Sequence, residues 1–476
     1  MSEHASHLDG AAFLTDENRG LYEPAPRFKN LTKVCDYSSK NNTAVAAAIP
    51  YFQEWREAAH QIKKYAIANL DKLLVEFEGN MKARGVEVLF AQDAAEANRL
   101  VLDIAREHNV KSVVKSKSMV TEEMELNHVL EDAGIRPIET DLGEYIVQLA
   151  RQRPIHLVTP AMHFSAAEVG QLFHEKLGEP FSAEHAALAN IARTRLRADY
   201  LAAGMGISGC NFAVADSGTV VVVENEGNAG LSTATPPVHV VLVGVEKLIP
   251  KIDYLPLFLN LLGRSGTGQA LTAYTHLIHG PAPGKKLYVI FLDNGRTKVL
   301  QDPHAWQSLF CIRCGACLNA CPVYRRVGGW SYGWVYPGPI GAVLTPHLVG
   351  LDKAAKLPFA SSLCGACGEV CPVKIDIPHQ LVHLRNRAVN EPSPMKSPFD
   401  RLTWKLWAWA MGGPRRYGLA MWAVRLGVRM AKYVPWHPGQ LGAWTRGREL
   451  PKVPSHSFRN WYKQRSNDSS TQKVKK

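Results

Sequence analysis

Seven of the nine cysteines in this 476-residue chain fall between positions 311 and 371. No other feature restricts the fold as much. Small secreted domains spread their cysteines to staple a thin core, whereas repeated Cys-x-x-Cys spacing in a large chain points to metal in a reducing compartment. The other two, Cys35 and Cys210, stand alone. The opening Met-Ser-Glu-His-Ala-Ser-His lacks a basic patch followed by an apolar run. No secretory signal is therefore visible, and the cytoplasm is the expected location.

The first cysteine run is Cys311-Ile-Arg-Cys314-Gly-Ala-Cys317-Leu-Asn-Ala-Cys321-Pro322. Its C-x2-C-x2-C-x3-C-P spacing is that of bacterial ferredoxins. Three thiolates two residues apart let a tight loop wrap three corners of a cube, and the glycine relieves crowding beside it. The fourth cysteine points away and, in two-cluster proteins, ligates the other cluster. A second run, Ser361-Ser-Leu-Cys364-Gly-Ala-Cys367-Gly-Glu-Val-Cys371-Pro372, keeps this register but has Ser361 where the leading cysteine belongs.

Cross-ligation then predicts two unequal centres. Cluster 1 takes Cys311, Cys314, Cys317 and Cys371; cluster 2 takes Cys321, Cys364 and Cys367. Both are expected as [4Fe-4S]. The remaining iron of cluster 2 falls to Ser361, to another oxygen or nitrogen group or to a small ligand, or else the cluster is of the [3Fe-4S] kind. An open iron can act as a Lewis acid, while a structural or relay cluster is the plainer reading. Structural zinc, with two C-x2-C pairs, competes for the whole constellation. The shared asymmetric register and the two Cys-Pro endings favour iron–sulfur.

A chain this long is expected to hold two or three domains of roughly 100–200 residues. Residues 1–60 predict a polar start and a helical extension. Over 61–300 short apolar runs alternate with helical patterns, which implies βαβ units and a mostly parallel sheet. Strands are expected at Val86–Phe90, Ser112–Val114, Ile135–Ile138, Ile155–Val158, Val238–Val243 and Leu287–Leu292. Asp93 and Ser165 each precede a glutamate by three residues and open helices, the second ending at Gly178. A further helix is expected over 121–133, ended by Gly134. Phe212–Ala215 and Thr219–Val223, joined by Asp216-Ser-Gly218, predict an antiparallel hairpin in the sheet. Residues 301–390, rich in Cys, Gly and Pro, predict a small ferredoxin-like domain with short helices at best.

Charge separates the remainder. The formal net charge is +12, yet residues 401–476 alone carry 16 Lys+Arg against 2 Asp+Glu, and 7 of the 11 tryptophans lie there. A basic aromatic segment over 391–464 and a disordered tail over 465–476 are expected. Leu402–Met411 and Trp422–Met430 look amphipathic. They suit packing on a partner subunit or a membrane surface, the inner membrane face included. No nucleic-acid reading motif accompanies them, so nucleic acid is not expected. No run of about 20 apolar residues spans a bilayer.

Weaker signals remain. Asn225-Glu-Gly227-Asn-Ala-Gly230 and Gly263-Arg-Ser-Gly266-Thr-Gly268 follow no phosphate-loop pattern and read as turns, with phosphate cradling as the alternative. Lys115 and Lys117 sit near a strand end, where a solvated lysine face or an anion contact is expected. Gly328–Pro337 is aromatic and reads as a shield that keeps water from a cluster, or as a loop packed on itself. No Ser-His-Asp set stands out, and catalytic residues stay unassigned.

These pieces together resemble a known family, the bacterial lactate-utilisation iron–sulfur subunit of the LutB type. The resemblance rests on both cysteine runs, on Ser116–Glu123, Glu139–Glu144 and Ala215–Thr219, and on Asn225-Glu-Gly-Asn228. It implies an α/β domain similar in fold to the sugar-phosphate isomerase and CoA-transferase group. It also implies two partner subunits, one with cysteine-rich repeats and one built on the same α/β domain, which together oxidise L-lactate to pyruvate. This chain would then pass the electrons onward, and the serine in the second run would be the family's own pattern. A stand-alone α/β enzyme acting on a phosphorylated or CoA-linked substrate is the alternative expectation, as is service to another 2-hydroxy acid.

Overall fold

A computed structural model describes residues 26–391, 398–431 and 457–473, with Lys452 and Pro454. The chain divides into two compact units, Met1–Met395 and Lys396–Lys476. The expected polar start before residue 26 lies outside the described residues, as do 392–397 and 432–451 of the basic segment.

The first unit is α/β. Six parallel strands run in the order β1-β10-β7-β4-β2-β3. They are β1 (Glu87–Ala91), β2 (Ser112–Lys115), β3 (Arg136–Glu139), β4 (Met205–Ser208), β7 (Val238–Gly244) and β10 (Lys286–Leu292). Strand β7 is buried throughout and is apolar save for His239, which meets the Ser208 hydroxyl at 2.8 Å, as suits a central parallel strand. The pleat sends alternate residues to opposite cores. Val241, Val243, Val289 and Phe291 join one; Val240, Leu242, Ile290 and Leu292 join the other. The second core is closed by helix Ala94–Glu107 through Ala97, Val101 and Ile104, spaced at helical period. That helix starts as its sequence predicts, with the Asp93 carboxylate accepting from the Glu96 amide at 2.8 Å. Ser165 and Glu168 form the reciprocal box, and Gly178 ends their helix at φ 71°.

Three expectations inside the α/β region fail. The hairpin β5 (Phe212–Val214) and β6 (Thr219–Glu224) forms, but it belongs to a separate four-stranded sheet. There it is joined by β8 (Leu248–Ile249) and β9 (Tyr274–Ile278), in the order β8-β5-β6-β9. Ile155–Val158 is not a strand. Its backbone serves the cysteine region instead, with the Ile155 carbonyl accepting from the Tyr324 hydroxyl at 2.6 Å. The helix over 121–133 is also broken. Glu125 takes a left-handed φ of 50°, which separates Met119–Glu123 from Leu126–Asp132.

The first core continues without a boundary into the cysteine region, through Phe310, Ile312, Leu318, Tyr324, Ile340 and Leu344. Longer helices than expected occur there, Gly338–Val349 and Ile377–Asn390. The first is hidden from composition by its glycines and prolines. Yet Pro339 stands in its first turn, where no amide is needed, and Gly341 packs so closely that a Cβ would meet the Tyr336 carbonyl oxygen at 1.7 Å.

Three N-terminal helices, α1 (Pro26–Ala47), α2 (Phe52–Ala68) and α3 (Leu70–Lys82), bind these parts together. Lys63 of α2 donates to the carbonyls of Glu246 (2.5 Å) and Leu248 (3.2 Å) in the α/β region. Arg56 donates to the carbonyl of Cys371 at 2.8 and 3.0 Å, and His60 lies 2.9 Å from that of Val373.

The second unit shows helices Pro398–Met411, Pro414–Ala431 and Phe458–Lys473. Trp404, Trp407, Trp409, Trp422 and Trp461 are exposed on them. The Arg459 guanidinium lies 4.5 Å from the Tyr417 ring, and that of Arg416 lies 5.5 Å from Trp409. Of the tail expected to be disordered over 465–476, residues 465–473 continue the last helix, and 474–476 lie outside the described residues. Among the described residues, no helix is long and apolar enough to cross a membrane.

Candidate functional site

The seven clustered cysteines line two pockets. Cys311, Cys314, Cys317 and Cys371 face one, among Leu157, Ile312, Ile340, Val373 and Ile377. Cys321, Cys364 and Cys367 face the other, together with Ser361 and Ser362. The two cysteine sets are those that cross-ligation predicts. The backbone repeats as well. Arg313 and Leu363 have positive φ (62° and 55°), and Gly315 and Gly365 follow at 79° and 88° to start short helices. Each left-handed pair folds the chain back so that successive thiols face the same space.

All nine cysteines are free. Burial pushes the Cys314 and Cys317 thiols well up, and their cysteine neighbours push further: Cys311 and Cys371 for both, with Cys367 also acting on Cys317. Burial likewise raises Cys367 to about 12 and Cys371 to about 11. Crowded buried thiols gain little as a purely protein arrangement. They suit a cationic group that takes them as thiolates, and sulfur is the donor that an iron–sulfur cluster takes. Amides already point at sulfur: Arg313 N lies 3.4 Å from Cys311 Sγ, Tyr324 N 3.5 Å from Cys321 Sγ, and Ile375 N 3.3 Å from Cys371 Sγ. Ser361 Oγ accepts from the Leu363 amide at 3.1 Å. Of the aromatic loop, Tyr332 and Tyr336 are buried, and Tyr332 stands beside Cys321, Cys317 and Cys367.

Several residues around the site were not singled out from sequence. A buried ion-pair chain joins the α/β region to the first cysteine run. Arg296 bonds Glu123 and Glu246, each at 2.6 Å, and Glu246 also takes Arg313 at 3.0 Å. The Tyr336 hydroxyl donates to Glu123, and the Arg313 guanidinium lies 4.6 Å from the Tyr336 ring centre. A signal was present: Glu246-Lys247 interrupts a run that is apolar on both sides. Lys115 was expected on a solvated face. Instead it is buried, held by Glu139 at 2.7 Å and Glu122 at 3.1 Å. Lys117, Asn225, Gly263 and Gly266, scattered in sequence, come together around one cavity that Arg313 and Cys314 also line. Cys35 and Cys210 line neither cysteine pocket, although Cys321 acts on Cys35, and burial raises each thiol to about 12.

Comparison with known proteins supplies the family. The LUD domain matches residues 74–296, the 4Fe-4S dicluster domain 307–375, and the lactate utilisation protein B C-terminal model 382–467. The chain is 41% identical over 439 residues to lactate utilization protein B of Geobacillus kaustophilus (strain HTA426), covering 88% of this chain and 90% of that protein. It is 42% identical over 428 residues to the protein of that name from Lysinibacillus sphaericus (strain C3-41), covering 87% and 89%. It is 39% identical over 475 residues to the uncharacterized electron transport protein YkgF of Escherichia coli (strain K12), covering 97% and 98%. Matched over nearly the whole length of those relatives, this chain, an α/β domain followed by an iron–sulfur dicluster domain, belongs to the lactate utilisation protein B family.

Proposed function

We propose that this chain is the electron-transfer iron–sulfur subunit of a complex that oxidises L-lactate to pyruvate. The observation that carries the reading is the sorting of seven cysteines into two pockets, linked where Cys317 neighbours Cys367. In this reading Cys311, Cys314, Cys317 and Cys371 hold cluster 1. Cys321, Cys364 and Cys367 hold cluster 2, with Ser361 as its candidate fourth ligand. Bound clusters supply one-electron carriers whose potentials depend on burial and on hydrogen bonds to sulfur.

The chain's own residues grade that environment. Leu157, Ile312 and Ile340 keep water from the first pocket, while Cys364 is exposed at the second. Electrons would thus enter at the buried end and leave at the surface. Two further subunits, one cysteine-rich and one with a second LUD domain, belong to this reading, and the exposed tryptophans of residues 398–431 suit their docking. A fold of the sugar-phosphate isomerase and CoA-transferase type for the α/β domain and a cytoplasmic location, at most peripheral to the inner membrane face, complete it.

The test is anaerobic addition of L-lactate to the reconstituted three-subunit complex. The visible absorbance of the clusters should bleach. Clusters that stay oxidised with lactate, yet bleach with dithionite, would remove the substrate assignment.

A further inference from the structure

A cavity of about 360 Å³ lies beside the first cysteine run. Ser116-Lys117-Ser118, just past β2, and Gly209-Cys210-Asn211, just past β4, form part of its wall. From β2 the chain runs to β3 at one edge of the sheet; from β4 it runs the opposite way, through β7 to β10. The strand order therefore reverses between β4 and β2. In parallel α/β sheets, ligands bind outside the carboxyl ends of the strands at such a reversal. The size falls within the range of roughly 300–1,000 Å³ typical of small-molecule sites.

The polar groups in the wall are unevenly satisfied. Its carboxylates have partners. Glu224 accepts from the amides of Ala229 (2.7 Å) and Gly230 (2.8 Å), Glu226 from Leu142 (3.0 Å), and Asp141 from Glu144 (3.0 Å). Its cations do not. The Arg313 side chain is 8% exposed and bonds Glu246 through Nη2, but its Nε and Nη1 have no partner. Lys117 Nζ is buried without a hydrogen bond, its nearest carboxylate oxygen being Glu144 Oε1 at 3.8 Å. Lys247, also 8% exposed, stands near Arg313 and Cys311. Buried donors without acceptors are costly. A ligand that supplies acceptor oxygens and negative charge would satisfy them. Val222, Val223, Leu262 and Met119 offer apolar wall for its body.

We propose that this cavity is a binding site for a small oxyanion, a carboxylate or a phosphate, held by Lys247 and Arg313 against the wall that carries Cys314, with Lys117 as a further cation. The site goes beyond the electron-transfer reading, since it follows from the cavity whatever the clusters do.

The test is isothermal titration of the full-length, cluster-loaded protein. One arm uses L-lactate and pyruvate; the other uses orthophosphate and pyrophosphate. Saturable binding is expected in at least one arm, and the arm assigns the oxyanion as carboxylate or phosphate. Lys247→Met should weaken it by about tenfold, the scale of one lost charge-assisted contact, and Lys247→Arg should recover most of it. If Lys247→Met fails to fold, by circular dichroism and iron content, Lys117→Met is read in its place with a severalfold weakening expected. Binding by none of the four anions overturns the site. So does binding that the folded lysine variants leave unchanged. Lactate that binds without reducing any cluster in the complex would sink the electron-donor reading and leave the site standing.

Discussion

Glu246 holds the first cysteine run to the α/β region, and its removal has a calculable cost. It is fully buried, accepting from Arg296 Nε at 2.6 Å and Arg313 Nη2 at 3.0 Å. Burial pushes its carboxyl up, but Arg296 and then Arg313 outweigh that and hold it at about 2, against an ordinary 4.5. A carboxylate depressed on folding contributes stability that is present above the unfolded value and lost as pH falls through the folded one. At about 1.4 kcal/mol per unit, the gap corresponds to ~3 kcal/mol at neutral pH. That agrees with the ~3–5 kcal/mol typical of breaking a buried pair. Glu246→Gln should therefore lose ~3 kcal/mol in urea denaturation of the anaerobic protein at pH 7, followed by circular dichroism. The deficit should narrow as pH is lowered from about 4.5 toward 2, because the unfolded-state carboxyl takes up its proton across that window while the folded one stays ionised until about 2. Iron should also be released at lower urea, since Arg313 lies between Cys311 and Cys314, two of the proposed cluster ligands. A loss under about 1 kcal/mol at pH 7, or a deficit that does not change with pH, would refute the reasoning.

Other outcomes follow from the same geometry. Cys371→Ser should alter the EPR signal shared with Cys311→Ser, and Cys321→Ser the one shared with Cys364→Ser; pairing by sequence proximity instead would end the cross-ligation assignment. Ser361→Cys should give cluster 2 a fourth thiolate and abolish any three-iron signal in the oxidised protein; an unchanged spectrum would mean that position 361 does not reach the cluster. Gly329→Ala puts a Cβ 2.0 Å from the Ile155 carbonyl oxygen. It should cost ~1–3 kcal/mol of stability by overpacking, and a neutral result in denaturation would show that the 155–158 segment does not depend on this contact.

What could be read in advance follows the range of the interactions involved. Capping at Asp93 and Ser165, the glycine stop at Gly178 and the β-branched run of β7 are local, and each was legible. The spacing within each cysteine run is local as well, whereas the placing of Cys371 beside Cys311, Cys314 and Cys317 is a product of tertiary folding. Ile155–Val158 misled because an apolar run has the same composition whether its carbonyls meet a strand or the Tyr324 hydroxyl, 169 positions on. β4 was passed over because Met-Gly-Ile-Ser is short and contains glycine. There Gly206 is required by contact, since a Cβ would lie 1.8 Å from the Ser232 carbonyl oxygen. The pairing of Arg313 with Glu246 and the gathering of Lys117, Asn225 and Gly263 are products of tertiary folding and leave no periodic trace.

The hold of Arg56 on the Cys371 carbonyl has a consequence for how the chain is made. Donor and acceptor lie 315 positions apart. At roughly 5–20 residues per second, a ribosome needs about 15–60 s to travel between them. Throughout that interval the partly apolar face of α2 has emerged without the segment it will cover, and for most of it none of the seven cysteines that line the two pockets yet exists. Metal delivery and the docking of α2 are thus both tasks for a nearly finished polypeptide, and some of the first helices synthesised are among the last to be secured.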